Sequence, residues 1–315
     1  MGHATTPPVR SLDAVITAQA TLLTRLLPRA IAGDVAAVHR SRVASRRLRE
    51  TLPLAAAVVP GGAERHLRRD LRRITRALGR VRELDVATAV LNAESRQYPA
   101  AAGSCAGIAR AWERERDAGH AAMAAKLSRV DLRSVGRRLE GLASDVASAP
   151  RAAWTREVES RVRSRASALA ERVSGLGVVY VPERLHAARI AAKKLRYSLE
   201  IARDAADLPC TREINELVQA QDLLGEWHDL LSVQNRIQSV VASRRGAGAR
   251  AIAALIQHCD AECRDKHARF LTRVPHLVDL CAHLRRRLPA RKMLRIAVAQ
   301  SARRHHVQSA ALRRG

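Results

Sequence analysis

One sequence pattern occurs twice in this chain, 147 residues apart. Residues 38–52 read VHRSRVASRRLRETL, and residues 185–199 read LHAARIAAKKLRYSL. The shared pattern is H-x-x-R-[VI]-A-x-[RK]-[RK]-L-R-x-x-L. A second pair of similar segments, LGRVREL at 78–84 and LGEWHDL at 224–230, follows in the same order. The repeat predicts two halves of similar design related by a pseudo-two-fold axis.

Each copy of the repeated pattern predicts a helix with one apolar face and one cationic face. At about 100° per residue, Ala44, Leu48 and Leu52 fall on one side of the first copy. The opposite side carries one histidine and three arginines, with Arg47 on its flank: His39, Arg42, Arg46 and Arg49. The second copy repeats this arc with His186, Arg189, Lys193 and Arg196. Like charges at this spacing repel, so the face favours an anion of comparable length.

The composition predicts an all-α fold and a polyanionic partner. About 47% of the residues are hydrophobic but only 2% are aromatic, and many of the rest are strong helix formers such as arginine and glutamate. The formal net charge of +26 attracts nucleic acid, anionic membranes or free polyphosphate. No apolar run approaches the roughly 18 residues of a membrane span. Five cysteines without a disulfide-type spacing indicate a reducing, cytoplasmic compartment.

Turn residues divide the predicted helices into regions. Residues 1–10 are predicted to be flexible, and residues 286–315 to form a basic tail. The repeat domain spans 11–285, with a first half at about 11–173 and a second half at about 183–285. The tail could anchor the chain to an anionic partner or be a disordered, non-specific extension.

Glycines are predicted to interrupt two helices. In the first half, one helix is expected at about 63–79 and the next at about 83–97, with a break near Gly79. In the second half, the corresponding helices are predicted at about 211–224 and 226–243. A loop is expected at residues 100–107, which are rich in alanine and glycine.

A further basic stripe is predicted in the first half alone. Leu67, Leu71, Ile74 and Leu78 form an apolar stripe, and Arg65, Arg69, Arg72 and Arg76 form a parallel basic one. The counterpart at 211–225 lacks such a stripe. We therefore expect the cationic surface to be stronger on the side of the first half.

Among polyanions, one without bases suits this sequence best. Proteins that bind single-stranded nucleic acid without sequence preference normally stack bases on aromatic side chains. Only one aromatic residue, Tyr197, lies in a cationic motif. A nucleic-acid-binding basic helical protein is the alternative hypothesis.

Four segments together resemble a known family. The segments VHRSRVASRRLR, LGRVRELDV, LHAARIAAKKLRYSLE and LLGEWHDL are similar to the signature segments of the CHAD domain, a histidine-containing α-helical domain. This resemblance, over roughly 11–285, implies two four-helix bundles with a central basic groove or pore that binds inorganic polyphosphate. It also implies association with polyphosphate granules in bacteria, in the manner of phosins.

The resemblance, carried over residue by residue, implies a set of polyphosphate contacts. The helical periodicity of residues 65–78 adds three arginines of the basic stripe to this set. The candidates are His39, Arg42, Arg46, Arg47, Arg49, Arg69, Arg72, Arg76, His186, Arg189, Lys193, Lys194, Arg196 and Tyr197. Asp85 and Asp229 are expected to orient arginines through salt bridges. Glu83 and His228 replace residues common in the family and are not assigned to the ligand.

Two roles are possible for the two histidines of the repeat. His39 and His186 could donate to phosphate, more strongly as the imidazole protonates below about pH 6.5. They could equally be structural residues at a helix interface. The oligomeric state is left open.

No catalytic or metal site is predicted. The nearest match to the ExExK motif of triphosphate-tunnel enzymes, residues 113–116, lacks the lysine and is interpreted as a solvated helix face. Cys259, Cys263 and His267 recur every fourth residue, which matches no standard zinc module. We therefore expect a protein with no cofactor, no metal and no catalytic activity, and a phosphohydrolase or kinase acting on polyphosphate is the less favoured alternative.

Overall fold

The computed structural model describes residues 11–59, 63–241 and 247–288. Ten α-helices account for most of these residues, and this part of the chain contains no strand, which confirms the all-α prediction. The helices are α1 (Leu12–Ile31), α2 (Val35–Ala56), α3 (Ala63–Gln97), α4 (Ala102–Leu127), α5 (Leu132–Ala147), α6 (Arg151–Ser174), α7 (Pro182–Ala206), α8 (Thr211–Val241), α9 (Ala247–Leu271) and α10 (Val274–Arg287). The predicted flexible N-terminus and most of the predicted basic tail lie outside the described residues.

Local signals in the sequence set where several helices begin. The Asp34 carboxylate accepts a hydrogen bond from the Ala37 backbone N–H at 2.9 Å and thereby caps α2. Gly33, at φ 97°, adopts the left-handed conformation that turns the chain from α1 into α2. Pro182 occupies the first turn of α7, where its missing N–H is not needed.

The two helix breaks predicted at glycines are wrong. α3 continues through Gly79 and α8 continues through Gly225. A glycine inside a helix costs only about 1 kcal/mol relative to alanine. The apolar stripe runs on beyond each glycine, and buried Val81 and Trp227 hold the helices together past these points.

The loop predicted at residues 100–107 is also wrong. A short 3-10 turn at Pro99–Ala101 leads directly into α4, which begins at Ala102. Cys105 and Ile108 are buried on the first turns of this helix. Their burial outweighs the weak helix propensity of the neighbouring glycines.

The helices pack in the same order in two sets of five. In the N-terminal half (α1–α5), α1 packs against α2 and α5, α2 against α3, and α3 against α4. In the C-terminal half (α6–α10), α6 packs against α7 and α10, α7 against α8, and α8 against α9. The order of packing follows the sequence repeat. The pseudo-two-fold axis itself stays a prediction.

The position of α6 differs from the predicted division into halves. The prediction placed residues up to about 173 in the first half. However, the main partners of α6 are α7 and α10, which belong to the second half. Its buried residues, including Trp154, Val162 and Leu169, form one apolar stripe that these helices cover. The break between halves therefore falls between α5 and α6, near Pro150.

The two halves meet through their repeated helices. α3 contacts α8, and α2 and α1 both contact α7. An ion pair between Arg47 of α2 and Glu200 of α7 crosses this junction at 2.6 Å. A second pair links Arg236 of α8 with Glu115 of α4. The candidate site lies at this junction.

Candidate anion-binding groove

A groove of about 760 Å³ lies between α2 and α7, beside the central parts of α3 and α8. All eleven candidate residues from the two copies of the repeated motif line this groove. They are His39, Arg42, Arg46, Arg47, Arg49, His186, Arg189, Lys193, Lys194, Arg196 and Tyr197. The apolar faces of the same two helices are buried, as Leu48 and Leu195 show with 0% exposure. The structure thus brings together side chains that are about 150 residues apart in the sequence.

Three candidate arginines do not line the groove. Arg69, Arg72 and Arg76 are exposed on α3. The helical wheel correctly separated them from the core stripe, since Leu67 and Leu71 are fully buried. It could not show that α2 and α7, rather than this part of α3, form the walls of the groove.

Arg42 is held in place by the neighbouring helix α3. Its Nη1 donates a hydrogen bond to the Thr75 carbonyl oxygen at 3.1 Å. Gly79 leaves room for the guanidinium, because a Cβ at that position would lie 2.7 Å from Arg42 Nη1. Glu83 Oε1 lies 3.9 Å from Nη2. Burial and the nearby charge of Arg46 lower the pKa of Arg42.

A buried carboxylate holds one arginine from each half. Glu200 is 6% exposed. Its Oε2 accepts from Arg47 Nη2 at 2.6 Å, and its Oε1 accepts from Arg196 Nη1 at 2.5 Å. Arg196 Nε also donates to Gln221 Oε1 at 2.8 Å. These two arginines are therefore partly neutralised by the protein itself.

The centre of the groove contains three cations without such a partner. Within the described residues, no carboxylate oxygen lies within ion-pair distance of Arg46, Arg189 or Lys193. Burial, together with the charges of Arg189 and Arg46, lowers the pKa of Lys193 to about 7, although Asp229 opposes this change. Burial also lowers the pKa of Arg189, whose Nε is buried without a hydrogen-bond partner. The centre is set up to receive negative charge.

Two titratable residues of α8 line the groove although the sequence interpretation did not assign them to the ligand. Burial, together with the charges of Arg189 and His186, lowers the pKa of His228 to about 4. Burial raises the pKa of Asp229, while Arg189 and Lys193 oppose that rise. Both occur in the segment LLGEWHDL, so their place in the repeat was the available signal. The predicted salt bridge of Asp229 does not form, because within the described residues no cationic nitrogen lies within ion-pair distance of its carboxylate.

Some of the other charged residues of α3 near the groove hold helices together, and others line the groove itself. Asp85 pairs with Arg116 at 2.6 Å, as expected for a residue that orients an arginine. Arg82 also lines the groove, although it was not among the candidate residues. Glu83 also lines the groove.

The two histidines of the repeated motif lie at the exposed rim of the groove. His39 and His186 are both exposed, so neither is a buried interface residue. Partial burial lowers the pKa of His39, and the charges of Arg82 and Arg42 lower it further. The His186 ring lies 5.3 Å from the His228 ring. At neutral pH, the neutral His39 imidazole can donate one hydrogen bond without adding charge.

The residues considered for metal binding belong to the core. Cys259 and Cys263 are fully buried, and His267 is 3% exposed. Across the described ranges, no three histidine, cysteine or acidic side chains converge as a metal site would require. The absence of a metal stays an expectation.

The segment that resembles part of an ExExK motif lies on α4 and is only partly solvated. Glu113 and Arg114 are exposed, as predicted. Glu115, in contrast, accepts from Arg236 and Arg80, and Arg116 pairs with α3. These contacts hold helices together.

Comparison with known proteins bears on the family and the fold of this chain. A family model described as "CHAD domain" matches residues 14–238. A crystal structure of the CHAD domain from the plant Ricinus communis is similar, with a TM-score of 0.59 and 20% identity, over 90% of this chain and 95% of that one. PptA from Streptomyces chartreusis has a TM-score of 0.65 and 18% identity, over 86% of this chain and 98% of its own. No curated protein matches. None of the helices among the described residues is apolar over a length that could span a membrane.

Proposed function

Since this chain belongs to the CHAD domain family, we propose that its groove binds inorganic polyphosphate and that it does so without catalysing a reaction. The groove would hold the ligand between α2 and α7, so that both halves contact one chain of phosphates. We further propose that this binding directs the protein to polyphosphate granules in the cytoplasm.

The observation that carries this proposal is the group of unpartnered cations at the centre of the groove. Arg46 comes from one half, and Arg189 and Lys193 come from the other. Guanidinium groups bind two phosphate oxygens at once through their planar fork. Many weak contacts to one covalent polyanion add up, because each contact holds the next phosphates nearby.

A ligand without bases suits the groove better than nucleic acid does. Tyr197 is the one tyrosine, tryptophan or phenylalanine among the residues that line the groove. It is only 9% exposed, and the Arg196 guanidinium already lies 4.9 Å from its ring centroid. Sequence-tolerant nucleic-acid binding relies on exposed aromatic platforms.

A titration tests the proposal. We expect long-chain polyphosphate to bind tightly and the affinity to fall steeply with salt, because counterions are released on binding. The double variant Arg46→Glu and Lys193→Glu should weaken binding by about 100-fold or more, since it reverses two charges at the partly desolvated centre. A matched control is Arg110→Glu with Arg114→Glu, two exposed arginines of α4 that do not line the groove.

Three outcomes would contradict the proposal. Equal losses in the groove variant and the α4 control would mean that binding is diffuse. Displacement of polyphosphate by DNA at equal phosphate concentration would favour the nucleic-acid alternative. Release of phosphate from polyphosphate in the presence of Mg²⁺ would show that the protein is an enzyme.

Localisation tests the granule part separately. A fluorescent fusion should colocalise with granules in cells rich in polyphosphate, and the variant Arg46→Glu with Lys193→Glu should be diffuse. A groove variant that still reaches the granules would show that another surface directs it there.

A further inference from the structure

The packing of α2 on α3 extends the line of cations beyond the groove. The two helices are antiparallel, because Arg42 lies over Gly79 while Ser45 Oγ lies 3.0 Å from Thr75 Oγ1. In such an antiparallel pair, moving forward along α2 means moving backward along α3 by the same number of residues. One turn further along α2, this register places Arg49 opposite Arg72.

Arg49 connects the groove with the outer surface of α3. It lines the groove itself. Burial lowers its pKa, and the next largest cause is the charge of Arg72, with a smaller contribution from Arg68. Arg72 is exposed and Arg68 is half exposed, so both can be reached from solvent. Three arginines thus continue in a row from the end of the groove.

Helix α6 adds two arginines on the other side of this row. Arg165 Nη2 lies 3.6 Å from Oε2 of Glu50, a residue that lines the groove. Arg161 lies one turn earlier on α6, and its Nε is buried without a hydrogen-bond partner. Burial and the charge of Arg165 lower the pKa of Arg161, and Arg68 adds to this effect.

The acidic residues nearby leave these arginines available. Glu64 lies 3.9 Å from Arg68, and Glu50 lies 3.6 Å from Arg165. Both separations are longer than a hydrogen bond of 2.7–3.2 Å. Glu157 attracts Arg161 but does not satisfy its buried Nε. A phosphate oxygen could form the hydrogen bonds that these carboxylates do not make.

The C-terminal half has no equivalent of this row. The repeat aligns Arg68 and Arg72 with Ile214 and Val218. Arg196, which corresponds to Arg49, is already bonded to Glu200 and Gln221. The cations that continue from Arg49 therefore have no counterpart around Arg196, which the protein's own side chains already bond.

We infer that Arg49, Arg68, Arg72, Arg161 and Arg165 form a second binding subsite for the same phosphate chain, here called the α3–α6 track. A short chain fills the groove alone, and a long chain leaves it at the Arg49 end and continues along the track. This inference rests on the proposed function. It assigns the protein a preference for long chains and specifies that a long chain leaves the groove beside Arg49.

Affinities for two ligands test the track. The triple variant Arg68→Gln, Arg72→Gln and Arg161→Gln should weaken binding of long-chain polyphosphate by about 10- to 100-fold, on the basis of modest contributions from exposed pairs. Binding of inorganic triphosphate should change by less than about twofold. The matched control is Arg110→Gln, Arg114→Gln and Lys126→Gln, which removes the same charge from exposed positions of α4 and should leave both affinities within about threefold.

The outcomes separate the track from the groove. Equal losses in the track and control variants, or a track variant that binds long chains normally, would overturn the inference while the groove stands. A track variant that also loses triphosphate would mean that these arginines belong to the groove itself. A wild-type protein that binds neither ligand would overturn both the inference and the proposed function. A melting curve for each variant identifies any loss that comes from unfolding.

Discussion

The two copies of the repeated motif carry matching cations, but their neighbours use those cations differently. Arg42 in α2 is bonded to Thr75 and fits over Gly79, whereas its counterpart Arg189 in α7 has a buried Nε without a partner. Seven residues further along each helix, which is about two turns, the situation is reversed. Arg49 opens toward other arginines, whereas its counterpart Arg196 is bonded to Glu200. A motif specifies where charge lies, and tertiary contacts decide which charges remain for a ligand.

The largest expected effect tests the pairs that the protein makes internally. Glu200→Gln removes the carboxylate that holds Arg47 and Arg196, and we expect the free energy of unfolding to fall by about 2–3 kcal/mol. Urea denaturation measures this change. Glu216→Gln is the control, because its partner Arg212 is 88% exposed and the pair contributes little. An equal effect of both substitutions would show that Glu200 holds its arginines no more strongly than an exposed carboxylate does.

The next effect compares counterpart arginines directly. Arg189→Gln should raise the melting temperature of the empty protein, because it removes a partly buried charge, and should weaken polyphosphate binding about tenfold. Arg196→Gln should lower the free energy of unfolding by about 1–2 kcal/mol, because Glu200 and Gln221 lose a partner. Thermal melting with and without ligand gives both quantities. A loss of stability in Arg189→Gln would show that this arginine is not an unsatisfied charge.

The two glycines of the repeat, Gly79 and Gly225, are expected to give a smaller difference in stability when each is replaced by alanine. Gly225→Ala has no atom within 4 Å of the new Cβ and should stabilise α8 by up to about 1 kcal/mol. Gly79→Ala places the Cβ 2.7 Å from Arg42 Nη1, so the guanidinium must move off the Thr75 carbonyl. We expect little or no gain in stability and a few-fold loss of polyphosphate affinity. Identical behaviour of the two variants, measured by denaturation and titration, would contradict the role given to Gly79.

The smallest effect is a pH dependence from Lys193. Its pKa is 10.5 when unperturbed and about 7 in the empty groove, so between these values the unfolded state holds one more proton than the folded state. The stability of the empty protein should therefore rise with pH from about 7 to about 10.5. Bound phosphate restores the charged form, so binding in this range should take up a proton.

Calorimetry in buffers of different ionisation enthalpy measures that proton uptake. The variant Lys193→Met should bind polyphosphate with a smaller uptake than the wild type. Lys266→Met serves as the control, since Lys266 pairs with Glu226 at 2.9 Å and does not line the groove. Unchanged proton uptake in Lys193→Met would assign the titration to another group.

Much of the fold and part of the site could be predicted from local patterns. The apolar stripe of Leu67 and Leu71 depends on residues close in sequence, and its prediction is confirmed because both side chains are fully buried. The helix breaks at Gly79 and Gly225 were wrong, because burial on both sides outweighs the local cost of a glycine.

The residues missed in the site were missed for different reasons. Arg82 lies in the gap predicted between two helices, whereas His228 was set aside because it departs from the family pattern. Both line the groove in the structure, where α3 and α8 continue as single helices beside α2 and α7. The placement of α6 with the C-terminal half likewise depends on which apolar stripes meet, and no local pattern encodes that choice.

Local sequence was enough to predict that α2 and α7 are amphipathic helices with one histidine and a row of cations on the face opposite the core. This follows from the 3.6-residue period, which any helix imposes on its own side chains. Which of these cations remain for a ligand depends on contacts between distant parts of the chain. Arg47 and Glu200 are 153 residues apart and meet only when the halves pack together. Electrostatic pairing depends on distance in space, and that distance is set by the packing of the whole core.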